Sequence, residues 1–361
     1  MSNVQMGPPD AAKTEAFGAE MTALLNHSFL AMMISLGHRT GLFDRLATLP
    51  PSTSRQIAEA SGLDERYVRE WLGAMACGRI VDHDGKAATY FLPREHAAFL
   101  TRDAGPNNLA MMTQFLALGG AIEDRVVACF REGGGVAYSE QEKFTSLQAE
   151  FSAMFADAAL VGAMLPLAGG VVQALERGAR VLDVGCGSGH AVCLMAKAFP
   201  NSRFEGLDFD EKGISAARSE ASALGLENTT FFQGDAHALG AAADYDLITA
   251  FEVIHDLRDP TAGLSAIHRA LRPGGTLFML EPAASSHLAD NVAHPFGPFL
   301  YTASVFHCMT VSLAQGGAGC GTAWGEANTR AALARAGFDS VEVKRLEGDV
   351  MNYYYVARKA A

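Results

Sequence analysis

The residues best equipped for chemistry lie in one strand-to-helix run, Val181-Leu182-Asp183-Val184-Gly185-Cys186-Gly187-Ser188-Gly189-His190. Glycines at 185, 187 and 189 let the backbone turn tightly and approach a ligand without side-chain obstruction. The helix that follows presents free N–H groups, and Cys186 lies inside the loop. Nucleotide-binding folds of several chemistries share such a turn, so other residues must narrow it. A GxGxxG dinucleotide fingerprint wants Gly or Ala at position 190, which here is His190. Asp183, in the strand end, would repel a pyrophosphate but can attract a sulfonium-bearing amino acid. Asp208, closing Phe204-Glu205-Gly206-Leu207-Asp208, is placed to accept from both ribose hydroxyls. In Gly234-Asp235-Ala236, Asp235 can accept from an adenine amino group while the Ala236 N–H meets a ring nitrogen. Phe209, after Asp208, and Phe251, after a later strand, complete the candidate cofactor-binding set.

These residues need a frame that brings strand ends together. After Gly178 the pattern predicts strands at 180–184, 203–208, 229–233, 245–250, 275–281, 340–345 and 351–357. Helices are expected at 189–199, 211–224, 260–271 and 326–336. Such alternation makes a mostly parallel α/β sheet covered on both faces. With Leu271-Arg272-Pro273-Gly274-Gly275 ending the fourth helix, the series resembles class I S-adenosylmethionine (SAM) dependent methyltransferases from about Gly178 to Lys359. The resemblance implies a Rossmann-like sheet of seven strands, the last antiparallel and here Met351 to Val356. It also implies SAM as cofactor and S-adenosylhomocysteine as product.

The first part of the chain carries a different pattern. Residues 1–16 read as a flexible N-terminus, followed by a helix from about Ala19 to His38 with apolar residues on most sides. Such a helix must be buried on most sides, within the core or against a partner subunit. Ser52 to Ala60, the turn Ser61-Gly62, Asp64 to Cys77, and a hairpin around Asp84-Gly85 have the order of a winged helix. Gly37 to Asp44 and Asp64 to Met75 resemble bacterial methyltransferases with an N-terminal winged-helix domain, distantly similar to plant-type O-methyltransferases. In those enzymes this domain mainly dimerises and closes over the active site, which implies a homodimer. The expected organisation is a winged-helix unit at 17–103, a helical linker and cap at 104–177, and a SAM-binding domain at 178–361. A substrate lid is inserted at 282–323, with a glycine-rich hinge from Gln315 to Gly321.

Methyl transfer is an in-line displacement, so an enzyme need only align the acceptor, exclude water and remove a proton where one is held. The acceptor belongs above the sheet's C-terminal edge. There Phe251-Glu252-Val253-Ile254-His255-Asp256-Leu257 matches the His-Asp pair of plant-type O-methyltransferases, which makes His255 the candidate general base. As a neighbour in sequence, Asp256 is not expected to share a helical face with it. Tyr138 in the cap and His307 in the lid are the other catalytic candidates, each alternatively a satisfied buried side chain. Histidine spacings show no metal pattern, and none is expected. The acceptor class is a small thiol, thioether or hydroxyl compound; an uncharged thioether would need no base.

Bulk composition limits the alternatives. The chain has 28 Lys and Arg against 40 Asp and Glu, a net charge of −12, which disfavours phosphate-backbone binding. A SAM-sensing, DNA-binding regulator is the competing reading, yet residues 1–100 hold 9 basic against 11 acidic side chains. Six scattered cysteines without CxxC spacing, and no basic-then-apolar leader, read as a cytoplasmic protein. No membrane segment is expected, since Asn26, His27, His38 and Arg39 bracket the apolar run Ala31 to Leu36 too closely.

Overall fold

The computed structural model describes residues 8–240 and 244–361. Residues 1–7 of the expected flexible terminus lie outside the described residues. The chain divides into two compact units, Met1–Gly120 and Ala121–Ala361.

In the first unit the long helix spans Ala11–Arg39, so residues 11–16 are helical where a flexible terminus was expected. The reason is local: the Asp10 side chain accepts from the N–H groups of Ala12 and Lys13, and two alanines follow it. The expectation of burial on most sides does not hold within the unit. Only Ser35, Gly37 and His38 are buried, while Phe17, Leu24, Phe29 and Met32 are more than half exposed. Next come the helices Ser54–Ser61 and Glu65–Cys77, capped by Thr53 and Asp64, and the hairpin strands β1 (Asp82–Asp84) and β2 (Thr89–Phe91). Phe43, Leu46, Ile57, Trp71, Leu72 and Met75 form the core of this winged helix. Trp71 is fixed on both sides: its Nε1–H donates to the Met33 carbonyl at 2.8 Å, and its ring meets Phe43 edge-on at 5.1 Å. On Glu65–Cys77, Arg66 pairs with Glu70 and Arg69 with Glu65, so its own carboxylates offset both arginines.

The second unit is built on seven strands: β3 (Arg180–Val184), β4 (Arg203–Asp208), β5 (Thr229–Gln233), β6 (Tyr245–Phe251), β7 (Leu271–Pro282), β8 (Ser340–Lys344) and β9 (Asn352–Arg358). Their order across the sheet is β5-β4-β3-β6-β7-β9-β8, and β9 alone runs opposite to the other six. This is the fold the resemblance implied. Strand β7 starts earlier than expected because Leu271 already pairs with Tyr245, the register shifting before Thr276 meets Leu247. Helices His190–Ala198 and Glu211–Ala223 bury Val192, Cys193 and Ile214 on one face. Helices Pro260–Ala270 and Gly325–Arg335 bury Leu264, Ile267 and Leu333 on the other. Tyr354 and Tyr355 alternate between these two cores, as period-two strand geometry requires.

Two further segments complete the second unit. A helix runs over Glu142–Leu167, its Ala156–Met164 part in π geometry, and inserts Leu160, Met164 and Leu165 into the first core. By length and composition alone it could cross a membrane, the single such helix among the described residues. The expected lid holds Gly297–Ala303, a π-turn Ser304–Cys308, and Met309–Ala314.

Candidate active site

Strand β3 has β4 on one side and β6 on the other, so the crevice opens at its C-terminal end, where connections leave in opposite directions. Asp183 bridges this point from beneath: Thr249 on β6 donates its Oγ1–H to Asp183 Oδ1 at 2.6 Å. Burial pushes the Asp183 carboxyl up to about 7, and Asp208 adds to the effect. Asp208 is raised as well, again chiefly by burial. Two carboxyls that each resist ionisation favour a cation between them.

The glycine loop fits closely around this pair. Gly185 has φ 72°, and a Cβ there would lie 2.4 Å from Val253 Cγ2; Gly189 has φ 77°, and its Cβ would strike Ala217 at 2.5 Å. The Gly187 N–H donates to Asp208 Oδ2 at 2.8 Å and the Asp210 N–H to Oδ1 at 2.9 Å, which ties the loop to the end of β4. Gly185→Ala is therefore expected to weaken S-adenosylhomocysteine binding more than about tenfold in calorimetry while the chain still folds, since the strain falls on the loop and the collision on Val253 beside it. His190 departs from the dinucleotide pattern for a visible reason. Its Nδ1 meets Glu220 at 2.6 Å and its Nε2 meets Asp157 at 3.0 Å, joining the helix after the loop to the helix Glu142–Leu167.

The other cofactor-side candidates lie along the same edge. Phe209 is half exposed and takes the edge of Tyr138 at 4.9 Å; Phe251 packs edge-on against Phe278 at 6.0 Å. The Gly234 N–H donates to the Asp208 carbonyl at 2.9 Å, so the third strand's loop is fastened to the second. Cys186 is partly buried, its thiol pushed up by desolvation and so kept as an inert thiol. Ala236 is buried. Asp235 is more engaged than its sequence position suggested: Oδ1 accepts from the His237 N–H at 2.9 Å and meets His237 Nδ1 at 2.6 Å, while Oδ2 pairs with Arg258 at 3.0 Å. An adenine amino group would use its remaining lone pairs.

On the acceptor side, His255 sits in a single 3-10 turn, Ile254–Asp256, and is only 2% exposed. Its Nδ1 lies 2.6 Å from Glu281 Oε2, and Glu281 Oε1 accepts from the Ile254 N–H at 3.1 Å. Glu281, near the end of β7, thus orients the imidazole; the sequence had offered it only as a segment boundary. Asp256 comes closer than helical geometry suggested, with Oδ1 3.3 Å from His255 Nε2, because this tight turn does not space side chains as an α-helix does. That oxygen is buried and makes no hydrogen bond. Burial alone would depress the imidazole, but the Asp256 and Glu281 carboxylates outweigh it and hold His255 well above 6.5. Glu252, one residue past β6, has φ 56°, and desolvation raises its carboxyl to about 7. Strained backbone of this kind concentrates at functional edges.

Tyr138 and His307 reach the same region from the cap and lid, their rings 6.0 Å apart. Desolvation raises the Tyr138 phenol to about 12, so it stays neutral, and His307 is 2% exposed. The π-turn explains why consecutive residues both point inward: His307 bonds Gln141, while Cys308 lies beside His255. The expectation of no metal rested on sequence spacing alone. Atoms of His255, Asp256 and Cys308 that could ligate a cation lie within 4.8 Å of one another, a convergence no spacing could reveal.

The geometry agrees with independent likeness to known proteins. A family model described as a methyltransferase domain matches residues 175–308, and an Rv2258c-like winged HTH domain matches residues 28–102. The chain joins a methyltransferase domain to an Rv2258c-like winged helix. Trans-aconitate 2-methyltransferase from Azoarcus sp. (strain BH72) is 34% identical to this chain over 108 residues, which are 30% of the chain and 41% of that relative. The chain thus spans about two fifths of the length of the curated relatives it matches. Human N-acetylserotonin methyltransferase in complex with SAM superimposes with a TM-score of 0.67 at 18% identity, covering 99% of this chain and 100% of that one. The mitomycin 7-O-methyltransferase MmcR also gives 0.67 at 18%, with 97% and 100% covered. At such identities the structural likeness shows the fold.

Proposed function

We propose that this protein transfers a methyl group from SAM to an oxygen of a small-molecule acceptor, with His255 as general base. The observation carrying this is the buried His255–Glu281 pair at 2.6 Å. Building such a base is superfluous for an uncharged thioether but useful for a hydroxyl. The named relatives act in support, one of them an O-methyltransferase by name. Asp183, Asp208 and the loop Gly185–Gly189 would hold the cofactor's amino-acid and ribose parts, with Asp235 and Ala236 toward the adenine. When bound, SAM supplies a methyl carbon activated by positive sulfur. The chain's own part would be to exclude water beneath the lid, to orient the imidazole through Glu281, and to accept the hydroxyl proton at His255 Nε2 as the O–C bond forms and the methyl's bond to sulfur breaks. Methyl transfer from labelled SAM to a panel of phenols, thiols and thioethers tests it: transfer confined to thioethers would contradict the oxygen reading.

The sign of the pH dependence follows. A histidine held above 6.5 by neighbouring carboxylates keeps its proton at neutral pH, so base-dependent kcat/KM rises as pH passes through that raised value. Glu281→Gln removes one of the two carboxylates. The acid limb is then expected to move to lower pH, with a lower plateau. A limb that does not move would separate His255 from the observed titration.

We also propose a homodimer through the N-terminal helix, supported by its exposed Phe17, Leu24, Leu25, Phe29 and Met32. Light scattering should give twice 38.2 kDa for the native chain and a monomer for Leu25→Asp/Phe29→Asp. Nucleic acid finds little purchase on a helix whose arginines are paired with its own glutamates. The free state of all six cysteines supports a cytoplasmic location.

A further inference from the structure

The turn that carries His255 brings together three side chains able to ligate a metal ion. His255 Nε2 and Asp256 Oδ1 are 3.3 Å apart, and with Cys308 Sγ they form a set whose members all lie within 4.8 Å of one another. His255 and Cys308 are buried. A charge-assisted hydrogen bond closes to about 2.7–2.9 Å, so 3.3 Å is long for one, and Asp256 Oδ1 is buried without a hydrogen bond. The same spacing suits two ligands of one tetrahedral ion, since bonds of about 2.0–2.2 Å put such atoms about 3.3–3.5 Å apart. Two neighbours complete the pattern. Glu281 Oε2 holds the far nitrogen, His255 Nδ1, at 2.6 Å, the arrangement by which a carboxylate fixes the tautomer of a metal-binding histidine. Thr322 Oγ1, on a residue 7% exposed, makes no hydrogen bond of ordinary geometry and lies beside the Cys308 thiol, where its O–H can donate to a thiolate. Native proteins seldom leave buried polar atoms unused, and an ion bound here employs both Asp256 and Thr322.

We propose that His255, Asp256 and Cys308 form a binding site for a divalent cation of the zinc class, and that filling it switches methyl transfer off. The donor set decides the class: thiolate, imidazole and carboxylate together suit zinc, whereas magnesium and calcium take oxygen ligands. Binding exchanges the imidazole Nε2 and thiol protons for the ion, and the protons leave to solvent. The ion then occupies the lone pair that would take the acceptor's proton. The inhibition rests on the general-base reading above, whereas the site itself does not.

Cobalt(II), a coloured substitute for zinc, and zinc itself are the probes, used on the full chain under reducing conditions. Cobalt is expected to develop a thiolate-to-metal absorption band that saturates at one ion per chain and is lost when zinc displaces it. Cys308→Ala should abolish the band, and Asp256→Asn should weaken cobalt binding at least about tenfold. Cys77→Ser, at an exposed thiol in the other unit, should change neither. S-adenosylhomocysteine titration confirms that each variant is folded. Absence of a saturating band, or native cobalt binding in both Cys308→Ala and Asp256→Asn, overturns the site. Zinc should abolish methyl transfer to a phenol at the concentration that displaces cobalt, and a chelator should restore it. Turnover that persists or rises with the site filled overturns the inhibition and the general-base reading together, while the cobalt band still establishes the site.

Discussion

His255→Gln is expected to lower kcat by about 10²–10⁴-fold, the usual contribution of a positioned general base, while S-adenosylhomocysteine affinity stays close to native. Glutamine is similar in size and can still hydrogen-bond Glu281, so packing around the turn Ile254–Asp256 should survive. What it cannot do is take a proton as the imidazole Nε2 can. The expected defect therefore lies in turnover, and it should shrink with acceptors of lower pKa that arrive already ionised. A mild effect on a phenol of ordinary pKa would return His255 to a packing role. The two carboxylates around the imidazole would then be only a means of burying a charge.

The second large effect is expected at Asp208. Its two oxygens accept the Gly187 and Asp210 N–H groups, so one side chain shapes the glycine loop and, on the proposed reading, also faces the cofactor's ribose. Asp208→Ala removes two charge-assisted hydrogen bonds and leaves two N–H groups at a partly buried site. Each such bond contributes about 1.5–3 kcal/mol, so S-adenosylhomocysteine affinity should fall at least about 100-fold. The contrast with His255→Gln is informative. One variant should lose cofactor and keep little else to measure, whereas the other should bind cofactor normally and fail at the chemistry.

Most of the sheet domain was legible because its strands alternate with helices whose caps and glycines are local signals. Asp259-Pro260 opens one helix and the apolar runs around Leu182 and Ile248 become central strands. The convergence of Asp183, Asp208 and the three glycines was legible too, since they are set by strand ends a few residues away. The acceptor side was less so. Glu281 reaches His255 from 26 residues further along the chain, and Gln141 reaches His307 from 166 residues before it. Pairings at such separations are made by tertiary packing and leave no spacing to read. One usable signal was present: Glu281 is a charged residue closing the apolar run Leu277 to Leu280, and a buried carboxylate demands a partner. The N-terminal helix is a different case, since its expected burial was either in the core or against a partner subunit. Its apolar residues demanded burial, and within one chain they do not find it.

The most direct measurement is a calorimetric titration of the full chain with S-adenosylhomocysteine, run beside NAD. Saturable uptake of one S-adenosylhomocysteine per chain, with no heat from NAD, is the predicted result. Saturable NAD binding with no response to S-adenosylhomocysteine would contradict the account, because a cradle lined by Asp183 and Asp208 should reject a diphosphate.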